Sequence, residues 1–146
     1  MQSMNSSETV STDLGLVLVA PDDTLVPLMA SLHYSCKDPY AIKMAFHIGT
    51  DEPVEWTFAR DLLAAALHDR EGIGDVQAWP SADGALGDGS GILNIAMTSP
   101  FGHAQFEAAA DDVASFLDRT YEVVPVGGES QYLDLDAELG ELLSEA

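Results

Sequence analysis

The spacing of apolar and polar residues changes period several times along the chain, and each change marks an element. Residues 13–20 set Leu14, Leu16 and Leu18 against Gly15, Val17 and Val19, which predicts a strand buried largely on both faces. Pro21-Asp22-Asp23 signals a turn. Residues 28–34 place Leu28, Ala30, Leu32 and Tyr34 on one face of a second strand, with Met29, Ser31 and His33 on the other. After the breaker Lys37-Asp38-Pro39, residues 40–48 show the cleanest alternation. Tyr40, Ile42, Met44, Phe46 and Ile48 oppose Ala41, Lys43, Ala45 and His47. A loop at 49–53 leads to a fourth strand at 54–58, where Val54, Trp56 and Phe58 share a face.

From Ala59 the period lengthens from two to about 3.6 residues, the mark of a helix. Leu62, Leu63, Ala66 and Leu67 form its apolar stripe, Asp61 sits in the first turn, and His68 projects from the opposite side. Gly72 and Gly74 are expected to end it. A second round follows: a strand at 75–79 closed by Pro80, a glycine-rich loop at 81–91, and a strand at 92–99. A turn at Pro100-Phe101-Gly102 then leads to a strand at 103–108 with Ala104, Phe106 and Ala108 on one face. A helix from about Asp111 to Val123 carries Val113, Phe116, Leu117 and Val124 as its stripe. Strands, helix, strands, helix predict an α+β fold of two related halves, with two antiparallel strand-rich sheets and a helix after each half. The expected core is Phe46, Trp56, Phe58, Leu62, Leu63, Leu67, Phe106 and Phe116. Residues 1–11 read as a disordered polar segment and residues 12–124 as one domain. Residues 125–146 read as a linker, Pro125-Val126-Gly127-Gly128, and an acidic amphipathic helix with Leu135, Leu139, Leu142 and Leu143 at helical spacing. That helix has three destinations: its own body, a neighbouring copy, or a partner. Docking on its own body is favoured, because an amphipathic helix ordinarily buries its stripe.

A length of 146 residues fits one domain that buries about 70% of its unfolded surface and needs no disulfide or metal to hold a core. Cys36 is the single cysteine, so no internal disulfide forms, and one thiol suits a reducing cytosol. The start MQSMNSSETVS lacks the basic residues and long apolar run of a signal peptide, and LGLVLVA is too short to span a bilayer. A cytoplasmic location is expected. Charge changes the picture most. Asp and Glu number 25 against 5 Lys and Arg, a formal net charge of −20. Nucleic-acid binding draws on clustered bases that neutralise phosphates, and here Lys37, Lys43, Arg60, Arg70 and Arg119 are scattered. No nucleic-acid partner is expected.

The candidate chemistry thins out on inspection. The four histidines and Cys36 share no HExxH or CxxC spacing, so no metal ligands are assigned. The loop SADGALGDGSG has no Lys for a phosphate cradle, leads into a strand rather than a helix, and puts Asp88 where a nucleophile elbow needs Gly. Asp61 and His68 lie two helical turns apart, roughly 10 Å at 1.5 Å per residue, beyond hydrogen-bond reach. No catalytic or cofactor-binding residues are assigned, and the chain is expected to be no enzyme and to carry no cofactor. Arg60 and His68, with Leu139 and Leu142 in the tail, remain as candidates for a partner surface.

The run from 38 to 81, with DPYA, the F-H-x-G turn, VEWTFARDLL, GIGD and the closing WPS, closely resembles the SsgA-like proteins of sporulating actinomycetes. The likeness continues more loosely through ILNIAMTSPFGHAQFEAAADDVASFLDRT to the Leu–Asp-rich tail, so it spans about residues 14–146. The resemblance implies a non-enzymatic regulator of sporulation-specific cell division at septa. It implies FtsZ and other SsgA-like proteins as partners, a homotrimer, and peripheral association with membrane division proteins. It also implies a fold similar to the Whirly single-stranded nucleic-acid-binding fold, from which comes the rival reading of a nucleic-acid-binding regulator. The net charge disfavours that rival, since a fold does not carry its function with it.

Overall fold

The computed structural model describes residues 8–47, 53–82, 91–99 and 102–130. The chain forms β1 (Thr9–Val19), β2 (Leu25–Ser35), β3 (Ala41–His47), β4 (Val54–Ala59), α1 (Arg60–Ala66), β5 (Glu71–Ile73), β6 (Val76–Ser81), β7 (Ile92–Ser99), β8 (Gly102–Ala109) and α2 (Ala110–Val123). The α+β class and the antiparallel pairing are as expected, but the two expected sheets are one. The eight strands follow the order β4-β3-β2-β1-β8-β7-β6-β5. Each half is a four-stranded meander, and the halves join where Leu16 faces Ala108 and Leu18 faces Phe106. Periodicity within a strand says nothing about a partner some ninety residues away, which is why this junction is silent in the sequence.

The sheet curls strongly. β3 and β8 are three strand spacings apart, about 14 Å in a flat sheet. Yet the rings of Phe46 on β3 and Phe106 on β8 stack with centroids 4.5 Å apart. The inner face so formed is covered at one end by both helices, α1 against β4, β5 and β6, and α2 against β1, β7 and β8. Phe46, Phe58, Leu62, Leu63, Phe106 and Phe116 are buried there, while Trp56 and Leu67 are half-buried at the margin of the core. Val54 shares their face but is 41% exposed.

Several boundaries move, each for a physical reason. The first helix is shorter than its pattern: it stops at Ala66, and the amides of His68 and Asp69 both donate to the Ala65 carbonyl. Gly72 therefore does not end a helix but lies in β5, and Gly74 (φ 59°) makes the tight turn into β6. Pro80 does not close β6. It pairs with Leu93 where β6 has lost its β5 neighbour, so its missing N–H costs no ladder bond on that edge. Pro27 lies in β2 opposite Val17 of β1, beyond the described pairs with β3, which begin at Met29. β1 starts at Thr9, inside the segment expected to be disordered, and is not buried on both faces along its length: Ser11, Asp13 and Gly15 are exposed on the outer side. The expected turn at 100–101, most of the loops at 49–53 and 81–91, and the tail helix with Leu139 and Leu142 lie outside the described residues.

Candidate functional site

The most heavily built polar feature is one the sequence reading placed on a surface. Arg60 is fully buried, which corrects that expectation. The Arg60 amide is taken by the Tyr40 carbonyl at 2.7 Å, locking the β4–α1 junction to the start of β3. Its Nη1 donates to the Thr120 carbonyl (3.4 Å), Thr120 Oγ1 (3.3 Å) and the Val124 carbonyl (2.8 Å). Its Nη2 donates to the Glu129 carboxylate at 2.6 Å. The guanidinium carbon lies 5.0 Å from the Tyr34 ring centre and 4.7 Å from that of Tyr121, within cation–π range. Nε–H alone has no hydrogen-bond acceptor among the described residues.

One side chain thus ties the first half of the chain to the end of α2 and to the segment beyond it. Carbonyls at a helix C-terminus lack intrahelical donors and carry the negative end of the helix dipole, so a cation there is well placed. The hydrogen bond from Arg60 holds the Glu129 carboxyl below its ordinary value, while burial pushes the Tyr121 phenol up. A signal for Arg60 was present: at helical spacing it falls on the same stripe as Leu63 and Leu67, as Thr120 does with Val113 and Leu117. Glu129, beyond a Pro-Val-Gly-Gly linker, carried none.

His68 is exposed, on the lip of a groove of about 350 Å³ between the two helices. Ala64, Leu67, Ala114 and Leu117 form the apolar part of that groove, and Asp111 and Asp118 stand on its rim. A second opening, about 360 Å³, lies at the far end of the inner face, away from α1 and α2. Phe46, Val54, Trp56, Met97, His103 and Phe106 line it, with no acidic residue among its described walls.

The outer face of β1, β2 and β3 brings triad residue types together without triad geometry. Ser31 donates to Asp13 Oδ1 at 3.2 Å and pairs with His47 Nε2 at 3.1 Å, and Ser11 Oγ lies 2.8 Å from His33 Nδ1. In a working triad the histidine stands between the acid and the serine, whereas here the serine stands between acid and histidine. These groups are exposed cross-strand pairs on the outer face of the sheet. Further along this face Leu25 (53% exposed), Pro27 and Met29 (51%) make an apolar strip. No three His, Cys, Asp or Glu side chains converge among the described residues, and no described helix is long and apolar enough to cross a membrane.

A family model described as the Streptomyces sporulation and cell division protein SsgA matches residues 28–129, from within β2 to beyond α2, including the Arg60–Glu129 pair. The chain belongs to the SsgA family. Within it, the chain is similar to proteins of the SsgB type. The sporulation-specific cell division protein SsgB of Thermobifida fusca is 52% identical over 142 residues, 97% of this chain and 100% of that protein. SsgB of Streptomyces coelicolor is 47% identical over 138 residues, 94% of this chain and 98% of that one. The crystal structure of an SsgA-like sporulation-specific cell division protein from Thermobifida fusca superposes with a TM-score of 0.85 at 50% identity, covering 97% of this chain and 98% of that chain. A solved SsgB structure from Streptomyces coelicolor gives 0.81 at 45% identity, with 89% and 99% covered.

Proposed function

We propose that this chain regulates sporulation-specific cell division as a non-enzymatic, oligomeric adaptor that recruits FtsZ to septa. The observation that carries this reading is the end-to-end likeness to SsgB proteins, 52% identity across 97% of the chain. For the Streptomyces coelicolor SsgB, mutations correlate with longitudinal cell division during sporulation. Two features of the fold support an adaptor. The apolar strip of Leu25, Pro27 and Met29 offers a face for another copy, which suits a homotrimer. The acid-rimmed groove between α1 and α2 and a net charge of −20 suit basic protein surfaces and disfavour nucleic acid. Other SsgA-like proteins and membrane division proteins at the septum are the remaining partners of this reading. The test is deletion of the gene in its parent bacterium together with a fluorescent fusion. Loss of sporulation septa with vegetative growth intact, and foci at future septa, are expected. Normal sporulation septation in the deletion strain would refute the proposal.

A further inference from the structure

The groove between α1 and α2 has an apolar floor and an acidic rim, and helical spacing produces both. Asp111, Ala114, Asp118 and Tyr121 recur along one side of α2, and Ala64, Leu67 and His68 face them from the end of α1. Asp111 and Asp118 are exposed, and stand about 10 Å apart along the helix at 1.5 Å per residue. The half-buried Ala64, Leu67 and Ala114 lie between the rims.

The bases nearest the groove are all turned to other tasks. Arg60, the one base of α1, is buried against the end of α2 and Glu129. Arg119, the one base of α2, donates to the Ser11 carbonyl on β1. Arg70 donates to Gln77 and lies over the Trp79 ring on β6. Asp61 and Asp118 both act on the Tyr121 phenol, so acids face that end of the groove from both helices. Among the described residues the one salt bridge is Arg60–Glu129, which leaves the rim carboxylates available to an incoming cation.

We propose that this groove receives an amphipathic helix of a partner protein, with two basic residues at the spacing of Asp111 and Asp118 and apolar residues between them on the same face. The inference rests on the adaptor reading in taking a protein as the occupant. Charge and shape select that occupant together. Two bases two turns apart on one helix face each meet one carboxylate, and the apolar residues a turn from each cover Ala64, Leu67 and Ala114. A nucleic acid or an anionic lipid surface is repelled by the same rim.

The probe is a blocked alanine-based peptide of roughly twenty residues, long enough to be helical, with two lysines at that spacing and two leucines between them on the same face. A control peptide of equal composition carries the leucines on the opposite face. Fluorescence anisotropy with the full chain is expected to show saturable binding of one matched peptide per chain. Asp111→Asn with Asp118→Asn changes exposed side chains, so Tm stays put, while the matched peptide binds about fivefold more weakly. The control peptide is expected to bind at least about tenfold more weakly. Equal binding of the two peptides reduces the effect to attraction by a polyanion and overturns the proposal. No saturable binding of the matched peptide overturns it too, and if the protein still pellets with division filaments the adaptor reading stands without it. An assembly of changed size in light scattering of the asparagine variant assigns the groove to a second copy. Peptide binding seen only in a chain ending at Ser130 assigns it to residues 131–146. Either result also overturns the proposal.

Discussion

Replacing Glu129 or Arg60 tests whether one buried cation holds the two halves of the chain and the C-terminal segment as a unit. Arg60→Met keeps most of the volume but removes the charge and four donated hydrogen bonds, to the Thr120 carbonyl and hydroxyl, the Val124 carbonyl and Glu129. It leaves the Glu129 carboxylate, 8% exposed, without its partner. Breaking a buried pair from one side costs about 3–5 kcal/mol. Glu129→Ala is milder, because the guanidinium keeps three acceptors at the C-terminal end of α2 and both tyrosine rings. The loss is then close to that of one charge-assisted hydrogen bond, about 1.5–3 kcal/mol. Since each single variant strands the other partner, the double variant is expected to cost less than the sum, with a coupling of about 2 kcal/mol. Urea unfolding of the four proteins measures this. At about 3 °C per kcal/mol for a chain of this size, Arg60→Met alone lowers Tm by roughly 10–15 °C. A coupling below about 0.5 kcal/mol would show that Arg60 and Glu129 do not act together, and the anchoring of the segment after α2 would fall with it.

Three other outcomes follow from the same geometry. The Glu129 carboxyl is held below its ordinary 4.5 by Arg60, so its stabilisation is fully present above 4.5 and is lost only as pH falls through the lower folded value. The coupling measured by the cycle is therefore unchanged between neutral pH and pH 5 and shrinks in stronger acid; a coupling that fades well above 4.5 contradicts this. Phe106→Ala removes a buried ring stacked on Phe46, and is expected to cost about 3–5 kcal/mol in urea unfolding, where a cost below about 1 kcal/mol would deny the curl its core. Leu25→Ser with Met29→Ser touches exposed side chains, so stability changes little while light scattering shows a smaller assembly; an unchanged oligomer removes that strip from the interface.

Most of the elements were legible because each has a clean period. The alternation of Ile42, Met44 and Phe46 against Lys43, Ala45 and His47 is visible in the letters and in the burial of β3. What escaped was set by partners distant in sequence. β5 is three residues long, too short for a period, and the joining of the halves through β1 and β8 depends on a register that no local pattern encodes. Arg60 was misplaced because an isolated charge reads as solvent-facing. Its position on the Leu63–Leu67 stripe was the contrary sign, and the partner that makes burial tolerable lies sixty-nine residues on. His68 is the simpler case: it was placed opposite the leucines and is exposed.

The central claim is that an acidic, curled sheet protein of the SsgA family acts by binding the division polymer rather than nucleic acid. Co-sedimentation with FtsZ filaments at physiological salt, with single-stranded DNA as competitor, tests it most directly. The account predicts that the protein pellets with the filaments, saturates, and is not released by DNA. Failure to pellet, together with tight DNA binding that weakens steeply with salt, would contradict it.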